Sequence, residues 1–301
     1  MDRWVIAPRP GLGAAVLGFA ALAATVVWAL AAAREAGAAE PQFSKNMRIL
    51  FIGNSYTSVN DLPGMLTAMM ATKGIKLETR SVTPGGLTLE KHWTGAEARK
   101  AIADGPWDYV VIQEQSQMPA LRPAMTLKYA ALFAGAVRDA HSQPVFYLTW
   151  ARKDKPEMQE ALTATYMKAG SGARALVAPA GIAWQNAIKA DPKLVLHAAD
   201  GSHPTVQGMY LTACVFYATL LRRDPTGLPG RLVIDTKVRD NVIMRRNPAN
   251  LTAAQVQPLQ AAAWKTVEQL QSYKPAGSVE TQPAEKSDKK PDVESGKKND
   301  T

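Results

Sequence analysis

The stretch Met47-Arg48-Ile49-Leu50-Phe51-Ile52-Gly53-Asn54-Ser55-Tyr56-Thr57 joins a short apolar run to a polar turn. The run lacks the in/out alternation of a half-solvated strand and reads as one covered on both faces, as a parallel sheet requires. Four further runs share this character: Lys76 to Val82, Tyr109 to Gln113, Pro144 to Trp150 and Arg174 to Ala178. Helical spacing occupies the intervals at about Leu62 to Lys73, Ala96 to Ala103, Ala124 to Ala140, Pro156 to Ala169 and Ile182 to Ala190. Strand and helix alternating in this way predict an α/β domain, a three-layer α/β/α sandwich around a doubly wound parallel sheet of about five strands. Two more helices are expected, from Pro204 to Arg222 and from Thr252 to Tyr273. Between them, the apolar patches Leu232 to Ile234 and Val242 to Met244 give no assignable element.

Outward from this core, both ends of the 301-residue chain differ in composition. Residues 10 to 33 carry no charge, follow Arg3 and Arg9, and lead to Ala36-Gly37-Ala38, whose small residues suit an export peptidase. Residues 1–38 therefore read as a signal peptide, with a mature start near Ala39. An uncleaved membrane anchor is the alternative, since about 20 apolar residues span a bilayer. Either outcome puts the folded part outside the cytoplasm: periplasmic, secreted or held at the cell envelope. Residues 275–301 have two Val and no larger apolar side chain, which predicts a disordered polar tail. Setting aside 38 residues in front and 27 behind leaves 236, one domain over 39–274.

The leader carries +1 and the tail −1, so the formal net charge of +9 sits on that domain. No run alternates basic and aromatic residues, which argues against a nucleic-acid partner. The single cysteine, Cys214, excludes an internal disulfide and a multi-cysteine zinc site, and its apolar surroundings suggest a buried thiol. No two histidines have ligand spacing with carboxylates alongside, so no metal is expected.

In open α/β sheets ligands bind beyond the carboxyl ends of the strands. After the first strand stands Ser55, preceded by a glycine that allows a tight bend; its hydroxyl would need a base to act as a nucleophile. Capping by Asn54 or Ser55 is the competing account. After the second strand, the N–H groups of Gly85 and Gly86 could meet a ligand's oxygen, or the pair could simply make a turn. After the third come Gln113-Glu114-Gln115-Ser116-Gln117, amides suited to a developing negative charge, with Glu114 able to orient them. Asp200 and His203, three apart, can bond each other and leave the second imidazole nitrogen free to take a proton from a serine. A helix cap at Asp200 or Ser202 competes with that reading.

At these residues the chain resembles the SGNH/GDSL family of serine esterases and lipases, from about Met47 to Leu221. Gly53-Asn54-Ser55 corresponds to the first family block, with Asn54 in place of the usual Asp, and Gly85 or Gly86 to the glycine of the second. Asp200 and His203 match the last block. The third block normally holds a Gly and an Asn, where this chain has Gln113-Glu114-Gln115-Ser116; Gln115 stands for the missing Asn donor. The resemblance implies Ser55 as nucleophile, His203 as base and Asp200 as its orienting acid. It also implies an oxyanion hole from Ser55, Gly85 or Gly86, and Gln115, with no cofactor. The expected reaction is hydrolysis of an ester, with an O-acetyl group on a carbohydrate as the expected target. A weak or inactive glycan-binding module on the same fold is the alternative. A lipase would be expected to surround Ser55 with a more apolar loop than Tyr56-Thr57-Ser58-Val59-Asn60-Asp61.

Overall fold

A computed structural model describes residues 46–237 and 243–272. The expected leader and tail lie outside the described residues. The strands β1 (Asn46–Ile52), β2 (Lys76–Val82), β3 (Tyr109–Ile112), β4 (Gln143–Tyr147) and β5 (Leu176–Ala178) form one sheet in the order β2-β1-β3-β4-β5. Every pairing is parallel. From β1 the chain steps to one side to make β2, then returns to the other side for β3. The order reverses between β1 and β3, and the crevice at such a switch point is where these sheets bind ligands.

The helices, in chain order, are α1 (Ser55–Ser58), α2 (Leu62–Ala71), α3 (Leu89–Thr94), α4 (Ala96–Ala103) and α5 (Met118–Leu121). They continue with α6 (Pro123–Asp139), α7 (Met158–Ala173), α8 (Ala180–Ala190), α9 (Val206–Leu221) and α10 (Ala253–Ser272). Successive strand residues point to opposite faces, and in β1, β3 and β4 both faces are apolar; β2, expected to be covered on both faces, is instead an edge strand with only Leu77 and Val82 buried. Ile49 and Phe51 of β1 join Val111, Val145 and Tyr147 in a core shared with α2, α8, α9 and α10. Leu50 and Ile52 join Val110, Ile112 and Phe146 in a second core against α4, α6 and α7. The expected three-layer sandwich follows directly from these two cores.

Every residue of α9 from Gly208 to Leu221 is buried. A helix apolar on all sides has to be covered on all sides, and α2, α8 and α10 contact it. Cys214 lies within it, fully buried, and burial pushes its thiol well above the ordinary range, so it is an inert core residue.

Several boundaries differ from the sequence expectation for local reasons. β3 ends at Ile112, one residue early, because Gln113 turns its side chain into a polar network described below. β5 starts at Leu176, since Arg174 caps α7 in the left-handed conformation (φ 49°). α9 begins at Val206 with the Thr205 hydroxyl accepting from the Gly208 N–H, while Pro204 forms an isolated bridge with His197 instead of entering the helix. The unassigned segment forms an antiparallel hairpin, β6 (Arg231–Lys237) and β7 (Ile243–Asn250), which contacts α2. Its register shifts between Leu232 and Ile234, and such a bulge breaks the two-residue period by which a strand is recognised.

Candidate active site

Ser55 opens α1 directly beyond β1, so its own N–H has no partner within the helix. Asn54 is the N-cap: its Oδ1 accepts from the Tyr56 N–H at 3.1 Å. The cap thus falls to the Asn54 side chain and not to that of Ser55. Gly53 is required here by space. A Cβ at this position would lie 2.5 Å from Gln113 Oε1 and 2.9 Å from Thr57 Oγ1.

A buried amide network ties the three family blocks together. Asn54 N–H donates to Gln113 Oε1 (2.9 Å), Gln113 Nε2 donates to Asn54 Oδ1 (3.0 Å), and Asn54 Nδ2 donates to the Leu87 carbonyl (3.0 Å). Thr57 Oγ1 also donates to Gln113 Oε1 (3.0 Å), and Gln113 Nε2 makes a close contact with the Glu114 carbonyl. The last Asn54 contact explains the departure from the usual Asp: a carboxylate has no hydrogen to give to the Leu87 carbonyl. His92 braces the same turn from below, its buried Nε2 donating to the Gly53 carbonyl at 2.7 Å; burial lowers its pKa.

Gly85 and Gly86 lie exposed in the turn closed by Leu87 N–H to the Pro84 carbonyl (3.4 Å). Gly86 has φ +70°, the left-handed value such a turn demands at that position. Glu114 is almost fully buried, and its Oε1 accepts from the N–H groups of Leu89 (2.9 Å) and Gln115 (2.7 Å), joining the second block to the third. Desolvation raises its pKa. Gln115 is bonded within its own loop: Oε1 accepts from the Gln117 N–H (2.9 Å) and Nε2 reaches Ser116 Oγ at 3.4 Å.

The fourth block meets the first across 148 residues of sequence: His203 Nε2 and Ser55 Oγ are 2.8 Å apart. On the other side of the ring, Nδ1 lies 2.5 Å from Asp200 Oδ2. Asp200 Oδ1 accepts from the N–H groups of Ser202 and His203, both at 2.9 Å, so the same carboxyl makes the turn and faces the imidazole. The His203 bond first, then the two N–H groups, hold this carboxyl well below the usual carboxylate range. A proton on Nδ1 leaves Nε2 as the acceptor for a serine hydroxyl.

Sequence reasoning missed the residues that seat this turn. Tyr56, stacked on Trp150 (4.8 Å between centroids) and edge-on to His203 (5.7 Å), bonds Ser202 Oγ through its phenol at 2.8 Å. Trp150 in turn stacks on Trp184 at 3.8 Å and donates from Nε1 to the Ser202 carbonyl at 2.9 Å. Asn60 Nδ2 donates to the Pro204 carbonyl at 2.8 Å. Tyr56 and Asn60 flank the Ser55 motif and could have been suspected from that position alone; nothing in the sequence points to Trp150. Among the described residues no cluster of His, Cys, Asp and Glu could hold a metal ion.

No family model and no curated protein matches this chain. Solved structures do. A protein from Slackia heliotrinireducens assigned to the SGNH hydrolases is 31% identical, with 58% of this chain and 99% of that one covered at a TM-score of 0.52. A DUF4886 family protein from Bacteroides uniformis is 18% identical over 74% and 95% of the two chains, with a TM-score of 0.59. A protein from Parabacteroides merdae assigned as a GDSL-like lipase is 15% identical over 60% and 98%, with a TM-score of 0.50. The last two are similar in fold.

Proposed function

Because the chain belongs to the SGNH/GDSL hydrolase family, we propose that it is an exported serine esterase removing an O-acyl group, an O-acetyl group first of all, from a carbohydrate. The observation that carries the reading is the hydrogen-bonded line from Asp200 through His203 to the Ser55 hydroxyl. Ser55 Oγ attacks the ester carbonyl carbon while His203 Nε2 takes its proton. Asp200 holds the Nδ1 proton and steadies the imidazolium. The carbonyl oxygen becomes an oxyanion facing the N–H groups of Ser55 and of Gly85 or Gly86, with Gln115 Nε2 as the side-chain donor. His203 then returns its proton to the departing sugar oxygen, and water repeats the sequence on the acyl-enzyme. No metal or organic cofactor enters this scheme. The charge pattern of residues 1–38 supports export.

The test is an ester panel with the purified chain. Short-chain acetyl esters should be hydrolysed, Ser55→Ala should fall to the uncatalysed rate, and an active-site phosphonate should label Ser55. Equal rates for the two proteins would overturn the nucleophile assignment. Sugar binding without labelling would favour the glycan-binding module instead.

A further inference from the structure

A cavity of about 400 Å³ opens between the segment that follows β4 and the end of α8 with its linker towards the Pro204 bridge. Its apolar lining includes Ile188, Leu194 and Leu196. Its charged lining consists of Arg152, Lys153, Lys189 and Lys193 and includes no carboxylate. Asp154, Glu157 and Asp191, their neighbours in sequence, do not line it. None of the four cations forms an ion pair among the described residues. Arg152 is half-buried, and its Nε is shut off from solvent without an acceptor. Four like charges around one concavity repel one another. Apolar walls focus their field into the cavity rather than dispersing it.

This cavity shares its wall with the turn that carries Asp200 and His203. Lys153 N–H donates to the Gly201 carbonyl at 2.9 Å, His197 Nε2 donates to the Ala151 carbonyl at 2.9 Å, and Trp150 at the cavity edge donates to the Ser202 carbonyl. An occupant would therefore sit against the same loop that holds the base. Resting on the esterase reading above, we infer that the cavity receives a carboxylate of the substrate, so that the preferred ester is carried by a sugar acid rather than a neutral sugar. The cations meet the carboxylate, and the apolar lining meets the carbon-bound hydrogens of the ring.

Two measurements on the full chain test this, one independent of catalysis. Calorimetric binding of 2-naphthoate is compared with 2-naphthamide, its uncharged counterpart, for the wild type and for the double variant Lys189→Glu/Lys193→Glu, both sites being exposed. Naphthoate should bind about tenfold or more tightly than the amide, ~1.4 kcal/mol. The gap should narrow with added salt and vanish in the variant. Equal binding of the two probes, or an unchanged gap in the variant, would overturn the anion site. The second measurement compares kcat/KM on O-acetylated methyl glucuronoside and methyl glucoside. A preference for the acid that the double variant loses supports the substrate assignment, whereas naphthoate binding without such a preference refutes it. Failure to hydrolyse either ester would refute the esterase reading and leave calorimetry to judge the anion site.

Discussion

Asn54→Asp restores the residue usual in the family and should nevertheless damage this protein. Oδ1 keeps the cap on Tyr56 N–H, but the second carboxylate oxygen replaces Nδ2, which now donates to the Leu87 carbonyl at 3.0 Å. Losing that bond removes ~1 kcal/mol, and leaving the carbonyl to face an oxygen adds about 1–2 more. A charge is also introduced at a position 2% exposed; the remaining donors, Tyr56 N–H and Gln113 Nε2, offset only part of its desolvation. The sum is a loss of roughly 2–4 kcal/mol at neutral pH. A protonated carboxyl could again donate to Leu87, so the folded-state pKa of the new Asp should be raised above its unfolded value of about 3.9. A raised acid pKa means that the folded state binds the proton more tightly. The deficit against wild type should therefore be full above the folded pKa and shrink as pH falls through it. Urea denaturation of both proteins at several pH values reads this directly, and ester hydrolysis should fall as the second block loosens from Ser55. A variant within about 0.5 kcal/mol of wild type at pH 7, the usual scatter of surface substitutions, would refute the role assigned to the Asn54 amide.

Three further outcomes are expected. Gly53→Ala should destabilise by roughly 2 kcal/mol or more and depress activity, because its Cβ would meet Gln113 Oε1 at 2.5 Å inside a packed network; thermal melts and an ester assay check this. Tyr56→Phe keeps the stack on Trp150 but loses the Ser202 bond. It should cost about 1 kcal/mol and lower kcat more than it raises KM, measured by steady-state kinetics. His92 and His197 both have pKa values lowered by burial, so protons bind the unfolded chain first. Stability should be level above the unfolded imidazole value of 6.5 and fall as pH drops below it, in urea midpoints that His92→Gln partly levels.

The parallel sheet and both helical layers were legible because β1, β3 and β4 are apolar on both faces and the intervals between the strands keep helical spacing, whereas the edge strand β2 buries only Leu77 and Val82. The hairpin was not, since its bulge shifts the parity between Leu232 and Ile234. At the site, Asp200 and His203 could be paired from three-residue spacing, and Ser55 from its place after β1. Their meeting depends on side chains that no local pattern marks, such as Trp150 beneath Ser202. The third block was the least legible. Gln113, read as the end of a strand, is the hub of the amide network, and its importance comes from contacts with Asn54 and Thr57 about sixty positions away.

The separation of 148 residues between Ser55 and His203 also bears on how the chain acquires activity. A nascent polypeptide that has completed β1 through β5 already possesses every strand of the parallel sheet and the serine, yet lacks His203, the imidazole that meets the Ser55 hydroxyl. On the proposed reading, that hydroxyl gains its base only when the Asp200 turn docks onto Tyr56 and Trp150.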